Sequence, residues 1–323
     1  GTFVPPTLIE LNHIGELQRE VFGPVLHLVR YARNDLNQLL DQINATGYGL
    51  TQGVHTRIDE TIARVVNRAH AGNVYVNRNM VGAVVGVQPF GGEGLSGTGP
   101  KAGGPLYLLR LLSQRPADAL ARTFADADRA TPPEDAVRER LLAPLATLQQ
   151  WAQLQGNAAL ASTCQRFARQ TQSGTARTLH GPTGERNVYT LAPRARVLCL
   201  AQSVDDLLVQ TAAVLASGGT ALWPNTQASQ RAKLPTLVQA QVLLQENALN
   251  DGTLALDAVL HHGDTPSLQA VCTALTRRAG PIVGVTALQP GATDIPLERL
   301  MIERALSVNT AAAGGNASLM TIG

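Results

Sequence analysis

The first third of the chain alternates short apolar runs with amphipathic segments. Runs rich in β-branched and aromatic residues predict four strands: FVPPTLIEL (3–11), VLHLVRY (25–31), GLTQGVHT (49–56) and NVYVNRN (73–79). Helical periodicity predicts one helix that begins at Asp35, a suitable N-cap, and ends before Gly47. It predicts a second helix from Asp59 that ends before Gly72. This alternation of strands and helices indicates an α/β fold.

The pattern changes near Gln114. Residues 116–180 are rich in Ala and Arg, have helical character and are interrupted by Pro132 and Pro133. We therefore predict a packed helical connector between two α/β units.

Strands return after the connector. Short apolar runs rich in β-branched residues predict strands at 187–193, 196–201, 220–224, 258–262 and 281–286. Helical stretches at 205–217 and 267–278 separate several of them, which predicts a parallel, doubly wound sheet. The closing stretch ERALSVNTAAAGGNASLMTIG (303–323) is apolar and rich in small residues, so we expect an ordered tail that docks on another part of the protein.

Composition narrows the class of protein. The 323 residues are 44% hydrophobic and 15% charged, which suits two packed domains and argues against disorder. A formal net charge of +2 with scattered basic residues argues against a nucleic-acid or membrane-surface partner. No apolar run reaches the roughly 18–20 residues of a membrane span, so we expect no integral membrane segment.

The cysteines and the first residue bear on context. Cys164, Cys199 and Cys272 are few and far apart, which favours a reducing, cytoplasmic location over a disulfide framework or a thiolate zinc site. The chain begins at Gly1 and not at Met, and it opens on an apparent interior strand. We therefore expect a piece of a longer polypeptide.

A glycine-rich segment, NMVGAVVGVQPFGGEGLSGTGP (79–100), is the first candidate site. Gly92, Gly94 and Gly97 form a G-x-G-x-x-G string. A dinucleotide fingerprint opens a helix directly after a strand, so that N–H groups at the helix terminus meet the pyrophosphate. Pro100 and further glycines follow here, so we reject that interpretation.

Two interpretations of this segment remain open on the residues alone. The first is a connecting loop with turn glycines. The second is an anion-binding nest, in which small residues such as Gly82 and Ala83 leave backbone N–H groups exposed. A second candidate is Glu20, in REVFGPVL (19–26), whose carboxylate could accept hydrogen bonds from ribose hydroxyls or take part in a surface ion pair.

Three stretches together resemble a known family. They are EVFGPVLHLVRY (20–31), INATGYGLTQGVHT (43–56) and AGNVYVNRNMVGAVVGVQPFGGEGLSGTGPKAGGP (71–105). In order and spacing they resemble the C-terminal part of an aldehyde dehydrogenase catalytic domain, and the third is similar to glutamate-semialdehyde (1-pyrroline-5-carboxylate) dehydrogenases. The closing stretch resembles the end of long bacterial bifunctional proline-utilisation flavoenzymes.

The resemblance implies four segments. They are the C-terminal part of the catalytic domain (1–113), the helical connector (114–180), a degenerate Rossmann-like domain (181–305) and a docking tail (306–323). It also implies NAD-dependent oxidation of L-glutamate γ-semialdehyde to L-glutamate in proline catabolism, with FAD only in a proline dehydrogenase part that this chain lacks. The implied partners are the small-molecule substrate, the rest of the parent polypeptide and further copies in a homo-oligomer.

Site residues follow from the same resemblance. Glu20 corresponds to the glutamate that holds the nicotinamide ribose, and Phe22 to the aromatic residue beside it. Gly82 and Ala83 correspond to the loop whose backbone N–H groups bind the substrate's α-carboxylate. Phe90 corresponds to the aromatic residue on the substrate's aliphatic stem.

The departures from the family pattern matter equally. The nucleophilic Cys and the general-base Glu of the family lie upstream of the matching stretches, so no residue here is assigned a catalytic role and the isolated chain is expected to be inactive. The three cysteines are expected to be buried small hydrophobic residues. Trp223 stands where the family has the lysine that binds the adenosine ribose, so we expect no NAD binding in the second unit. Adjacent His261 and His262 would point to opposite faces of a strand, which argues against a metal site.

Three functional hypotheses remain. The chain is part of an aldehyde-oxidising enzyme, or its residues 181–323 form a non-catalytic lid and assembly module that seals a substrate-channelling cavity, or that part is an independent nucleotide-binding enzyme. The first two apply to different parts of the chain and are compatible. The third is disfavoured because the phosphate-binding glycines and the ribose ligand are missing.

Overall fold

The computed structural model describes residues 3–81, 83–116, 118–124, 130–131 and 134–311. Within them, the chain forms a six-stranded mixed sheet, a five-stranded parallel sheet and two two-stranded sheets, with helices packed against the larger ones. The α/β class predicted from the sequence is therefore confirmed. No helix in the described ranges is both long and apolar enough to cross a lipid bilayer.

The first segment follows the predicted alternation. Its elements are β1 (Thr7–Leu11), β2 (Val25–Val29), α1 (Leu36–Ala45), β3 (Tyr48–Gly49), β4 (Thr51–Val54), α2 (Asp59–Arg68), β5 (Asn73–Val76) and β6 (Glu93–Gly94). Strands β4 and β5 pair in parallel, with α2 as the crossover between them. The apolar sides of both helices meet where Leu40 and Val65 pack together, both almost fully buried.

The segment predicted as a helical connector is helical only in part, because two short strands also lie within it. It contains α3 (Ala119–Thr123), β7 (Ala130–Thr131), α4 (Asp135–Leu154), α5 (Ala158–Gln170) and β8 (Ala176–Leu179). The Asn157 side chain caps α5 by accepting the N–H of Leu160 at 2.9 Å. Apolar residues of α4 and α5, such as Leu148 and Phe167, lie in one core with the second α/β unit. The predicted interruption at Pro132 and Pro133 lies outside the described residues.

The second α/β unit is built on a parallel sheet. Its elements are β9 (Glu185–Pro193), β10 (Arg196–Ala201), α6 (Val204–Ser217), β11 (Thr220–Pro224), α7 (Ala228–Arg231), α8 (Thr236–Gln239), β12 (Val242–Gln245), β13 (Ala258–His262), α9 (Thr265–Leu275), β14 (Gly284–Leu288) and β15 (Met301–Asn309). Five of these strands run in the order β12-β11-β10-β13-β14. Helix α6 is buried on nearly every side, which explains why apolar residues predominate after its first turn.

Strand β15 lies between a strand of the first segment and a strand of the second α/β unit. In the sheet of order β4-β5-β15-β9-β8-β7, it pairs in parallel with β5 and antiparallel with β9. Its side chains alternate between two packed faces, as the strand period requires. Leu306 and Val308 point to the side of α2, whereas Glu303 and Ser307 are buried on the side of the glycine-rich segment. Because β15 begins at Met301, the predicted start of the docking tail at residue 306 falls inside this strand. The part of the tail from residue 312 onward lies outside the described residues.

One burial prediction is wrong. Cys164 and Cys199 are fully buried, but Cys272 is exposed. It lies on α9, whose one fully buried residue is its neighbour Val271, so successive helix positions point to the core and to solvent.

Candidate functional site

The glycine-rich segment after β5 forms a doubled-back loop. No helix begins between residues 83 and 105, so its described glycines do not present a helix terminus to a pyrophosphate. Phe90 and Ala102 exchange two backbone hydrogen bonds, of 3.0 and 2.8 Å. The short strand β6 pairs with β3, which brings Gly94 beside Tyr48. The two arms of the loop are therefore held by backbone pairing at separate points.

Glycine is required where this loop meets β5. A Cβ atom on Gly72 would overlap the carbonyl oxygen of Gly91 and lie 2.7 Å from the Lys101 ammonium nitrogen. The side-chain amide of Asn73, the next residue, donates to the backbone carbonyl of Pro89 at 2.9 Å. Close approach of the backbone, and not phosphate binding, is thus one reason for the local glycine content.

Two of the predicted substrate-binding residues, Ala83 and Phe90, lie along one arm of the loop. Ala83 precedes a tight turn in which the carbonyl of Val84 accepts the N–H groups of Val87 and Gln88 at 3.1 and 3.0 Å. Phe90 follows two residues later and is half-buried. Gly82 lies outside the described residues. We define the anchor turn as residues 83–88.

A buried polar cluster fastens the anchor turn to the second unit. The Gln88 side-chain oxygen accepts the N–H of Val84 at 3.1 Å. Its side-chain nitrogen lies 3.2 Å from acceptor oxygens of Glu185, Asn187 and Ser307. Positions 187 and 307 are paired across β9 and β15, and 185 lies two residues from 187, so these side chains share a face. The two strands thus present three acceptors to one carboxamide.

Arg78 completes this cluster. Its guanidinium donates to Glu185 at 2.5 Å and to Ser307 at 2.7 Å, and it lies over the Tyr75 ring at 5.1 Å from the centroid. The Arg78–Glu185 ion pair is largely shielded from solvent. We refer to Arg78, Gln88, Glu185, Asn187 and Ser307 as the Gln88 cluster.

A second buried cluster surrounds Lys101. Its ammonium donates to the carbonyl of Gly91 and, at 2.9 Å, to the side-chain oxygen of Asn73. Its backbone N–H donates to Glu303 at 2.7 Å, and the hydroxyl of Tyr189 donates to the same carboxylate at 2.7 Å. Burial lowers the pKa of Lys101 to about 8, against the opposing effect of Glu303. Burial also raises the pKa of Glu303, while the bonds from Tyr189 and Lys101 act the other way.

The predicted cofactor residues lie in front of β2, on the surface. Glu20 is exposed, and its backbone N–H reaches the Tyr48 hydroxyl at 3.5 Å. Phe22 is 87% exposed. Because Tyr48 pairs with Gly94, this segment is connected to the loop that carries Phe90. An exposed carboxylate and an exposed flat ring suit contact with a ribose and a nicotinamide ring, so these residues fit an edge of an NAD site.

The second α/β unit does not fit NAD at its switch point. The strand order reverses between β10 and β13, the position where doubly wound sheets bind nucleotides. The helix that begins there, α6, carries Asp205 and Asp206 in its first turn, and carboxylates at this place repel phosphate. Trp223 is fully buried, and its indole N–H donates to the buried Thr211 hydroxyl at 3.0 Å, so its single donor is already used inside the core.

The adjacent histidines are structural groups. His262 is held between the side-chain nitrogen of Gln210 and the carbonyl of Ala292, each at 2.8 Å, so its Nδ1 accepts and its Nε2 donates. His261 is buried, and burial lowers its pKa. Among the described residues, no group of three or more His, Cys, Asp or Glu side chains is arranged to hold a metal ion. Burial raises the pKa of both buried thiols, that of Cys164 to about 12, which makes these two groups poor nucleophiles.

Ala83 and Phe90 lie on the same loop, and the structure reveals supporting residues that the sequence analysis missed. These are Gln88, Lys101 and Glu303, all buried polar or charged side chains. The sequence contained only a weak signal: if MIERALSVN forms a strand, its two-residue period places Glu303 and Ser307 on the same face. The partners of that face could not be read from it.

Comparisons with known proteins agree with the motif analysis. Residues 1–115 match the model of the aldehyde dehydrogenase family. The whole chain is 59% identical over 327 residues to Bifunctional protein PutA of Salmonella typhimurium, of which it covers 24%. A stretch covering 36% of the chain is 43% identical to 1-pyrroline-5-carboxylate dehydrogenase of Staphylococcus aureus and covers 22% of that protein. The chain thus spans about a quarter of the length of these relatives.

Structural similarity supports the fold. A solved structure of proline utilization A from Corynebacterium freiburgense aligns with 90% of this chain and 26% of its own, at a TM-score of 0.57 and 21% identity. At that identity the likeness concerns the fold alone. Together with the sequence matches, this makes residues 1–115 similar to the aldehyde dehydrogenase family and the whole chain similar to the C-terminal portion of bifunctional PutA proteins.

Proposed function

We propose that this chain is part of an NAD-dependent dehydrogenase that oxidises L-glutamate γ-semialdehyde to L-glutamate. The observation that carries the proposal is the 43% identity to a 1-pyrroline-5-carboxylate dehydrogenase over a stretch of 117 residues. The anchor turn is compatible with this role because a ligand can reach its backbone: Val85 and Gly86 are exposed, and Ala83 is only half-buried.

Each predicted residue has a binding role in this proposal. Backbone N–H groups of Gly82 and Ala83 donate to the substrate's α-carboxylate, and the Phe90 ring packs on its aliphatic stem. The Glu20 carboxylate accepts hydrogen bonds from the nicotinamide ribose, with Phe22 beside it. When bound, NAD supplies the hydride acceptor. The attacking thiolate belongs to polypeptide outside this chain, so the residues here bind and orient the reactants.

We further propose that residues 181–323 act as a non-catalytic assembly module. Strand β15 lies inside the sheet that also contains β4 and β5, so the second unit supports the substrate-binding segment directly. The buried Trp223 and the carboxylates on the first turn of α6 argue against NAD binding in this module. Calorimetry with NAD on the module should show no saturable binding at micromolar concentrations.

The substrate proposal is tested in the complete enzyme, meaning this chain joined to the segment that carries the nucleophilic cysteine. Ala83→Pro removes one of the two proposed N–H donors. A hydrogen bond to a charged group contributes about 1.5–3 kcal/mol, so KM for glutamate semialdehyde should rise about tenfold or more. KM for an uncharged aldehyde of similar length should change little.

The matched control is Val85→Ala in the same turn, because this side chain is 97% exposed and is expected to leave both KM values unchanged. Equal losses on both aldehydes with Ala83→Pro would contradict the carboxylate-binding role. The isolated chain should produce no NADH with aldehyde, and clear turnover would contradict the assignment of the attacking thiolate to another part of the polypeptide.

A further inference from the structure

Hydrogen bonds from one side chain, that of Gln88, tie the anchor turn to the second unit. The Gln88 carboxamide binds the turn on its oxygen side and strands β9 and β15 on its nitrogen side. We propose that Gln88 is a positioning residue through which these strands hold the anchor turn in the conformation that binds the substrate's carboxylate. This inference rests on the proposed function and assigns to the second unit a specific effect on substrate affinity.

The orientation of the carboxamide follows from its partners. The Val84 N–H can only donate, so it requires the carboxamide oxygen. On the other side, the carboxylate of Glu185 can only accept when ionised, and Asn187 also presents an oxygen, so both require the carboxamide nitrogen. A flipped carboxamide would place its nitrogen against the Val84 N–H and its oxygen against the oxygens of Glu185 and Asn187. The geometry therefore fixes Gln88 in one orientation.

The Gln88 cluster resists motion of the turn. Gln88, Asn187 and Ser307 are 5%, 1% and 2% exposed, so water cannot readily replace a broken hydrogen bond. The guanidinium of Arg78 neutralises Glu185 and shares Ser307 with Gln88, so the cluster carries no uncompensated charge. A buried network whose members are mutually satisfied stabilises one arrangement of the segments that it joins.

The contact acts on the peptide next to the proposed carboxylate donors. The N–H that Gln88 accepts belongs to the peptide bond between Ala83 and Val84. Fixing that peptide plane restricts the backbone rotation that would turn the Ala83 N–H away from a ligand. The carbonyl of Val84 is held as well, by the N–H groups of Val87 and Gln88. Loss of the carboxamide should therefore raise the entropic cost of binding the carboxylate without altering the reacting atoms.

The test uses the complete enzyme and two aldehydes, glutamate semialdehyde and butanal. Gln88→Met keeps the length of the side chain and removes its hydrogen bonds. We expect KM for glutamate semialdehyde to rise about tenfold, kcat to stay within about twofold, and KM for butanal to stay unchanged. Gln269→Met is the matched control, since this glutamine is exposed on α9, and it should leave all three values unchanged.

A second variant keeps the inference testable if Gln88→Met fails to fold. Ser307→Ala removes one acceptor on β15 but leaves the bond between Gln88 and Val84, so KM for glutamate semialdehyde alone should rise about two- to fivefold. Unchanged KM in the folded variants, or parallel losses with both aldehydes, would overturn the positioning role. A parent enzyme with equal preference for the two aldehydes would instead overturn the proposed function, so the two failures are distinguishable.

Discussion

Lys101 offers a direct test of how the glycine-rich loop is held. Its side chain is 2% exposed, and burial lowers its pKa from the ordinary 10.5 to about 8. Two neutral oxygens, from Gly91 and Asn73, accept from the ammonium, and both could also accept from a neutral amine. The contacts therefore persist when the proton leaves, and the cost of a buried charge disappears.

The sign and size of the effect follow from proton linkage. An unfolded lysine keeps its proton up to about pH 10.5, whereas folded Lys101 releases it near pH 8. Between these values the unfolded chain binds more protons, so the free energy of unfolding contributed by Lys101 rises with pH. At 1.36 kcal/mol for each pKa unit, the gain across this window is about 3 kcal/mol.

The chain suits a direct measurement because it contains two lysines, Lys101 and Lys233. With ¹³C-labelled lysine, the Cε resonance that disappears in Lys101→Met should titrate near pH 8. Urea unfolding should show the parent gaining about 3 kcal/mol relative to Lys101→Met between pH 8 and 10.5, because a loss of contacts in the variant is the same at both pH values. Titration of Lys101 above pH 10, with no relative gain, would refute the claim that desolvation dominates over the nearby Glu303.

Two further predictions concern the surroundings of Lys101. Tyr189→Phe removes the hydroxyl that donates to buried Glu303, so it should lower the free energy of unfolding by about 2 kcal/mol at pH 8. The deficit should be smaller at pH 5, because burial raises the pKa of Glu303 and the lost bond matters most when this carboxylate is ionised. Equal deficits at both pH values would contradict this. Gly72→Ala should lower the free energy of unfolding by about 2 kcal/mol or more in urea denaturation, because its Cβ overlaps the Gly91 carbonyl. Gly252→Ala is the control, with open space within 4 Å, and a similar loss there would show that the effect is not steric.

Local signals in the sequence predicted most elements of the fold. Runs rich in β-branched residues marked strands such as β10 and β13, and the Asp35 and Gly47 signals bracketed α1 to within one or two residues. The nine-residue strand β15 was expected only as part of a docking tail, because its sequence does not alternate apolar and polar residues. Short pairings were missed: β6 has two residues, and β8 lies in a stretch predicted to be helical. Such strands have little periodicity of their own and exist because a partner strand supplies their hydrogen bonds.

The sequence by itself determined the α/β class and the similarity of the first segment to aldehyde dehydrogenases, because these depend on residue type and spacing along one stretch of chain. It could not determine that β15 pairs between β5 and β9, or that Gln88 meets Ser307 from more than two hundred positions away. Nor could it assign the pKa of Lys101, since that depends on how deeply the folded chain buries the ammonium group. Pairing partners, burial and the orientation of a carboxamide are properties of segments brought together in space, and only the tertiary structure decided them.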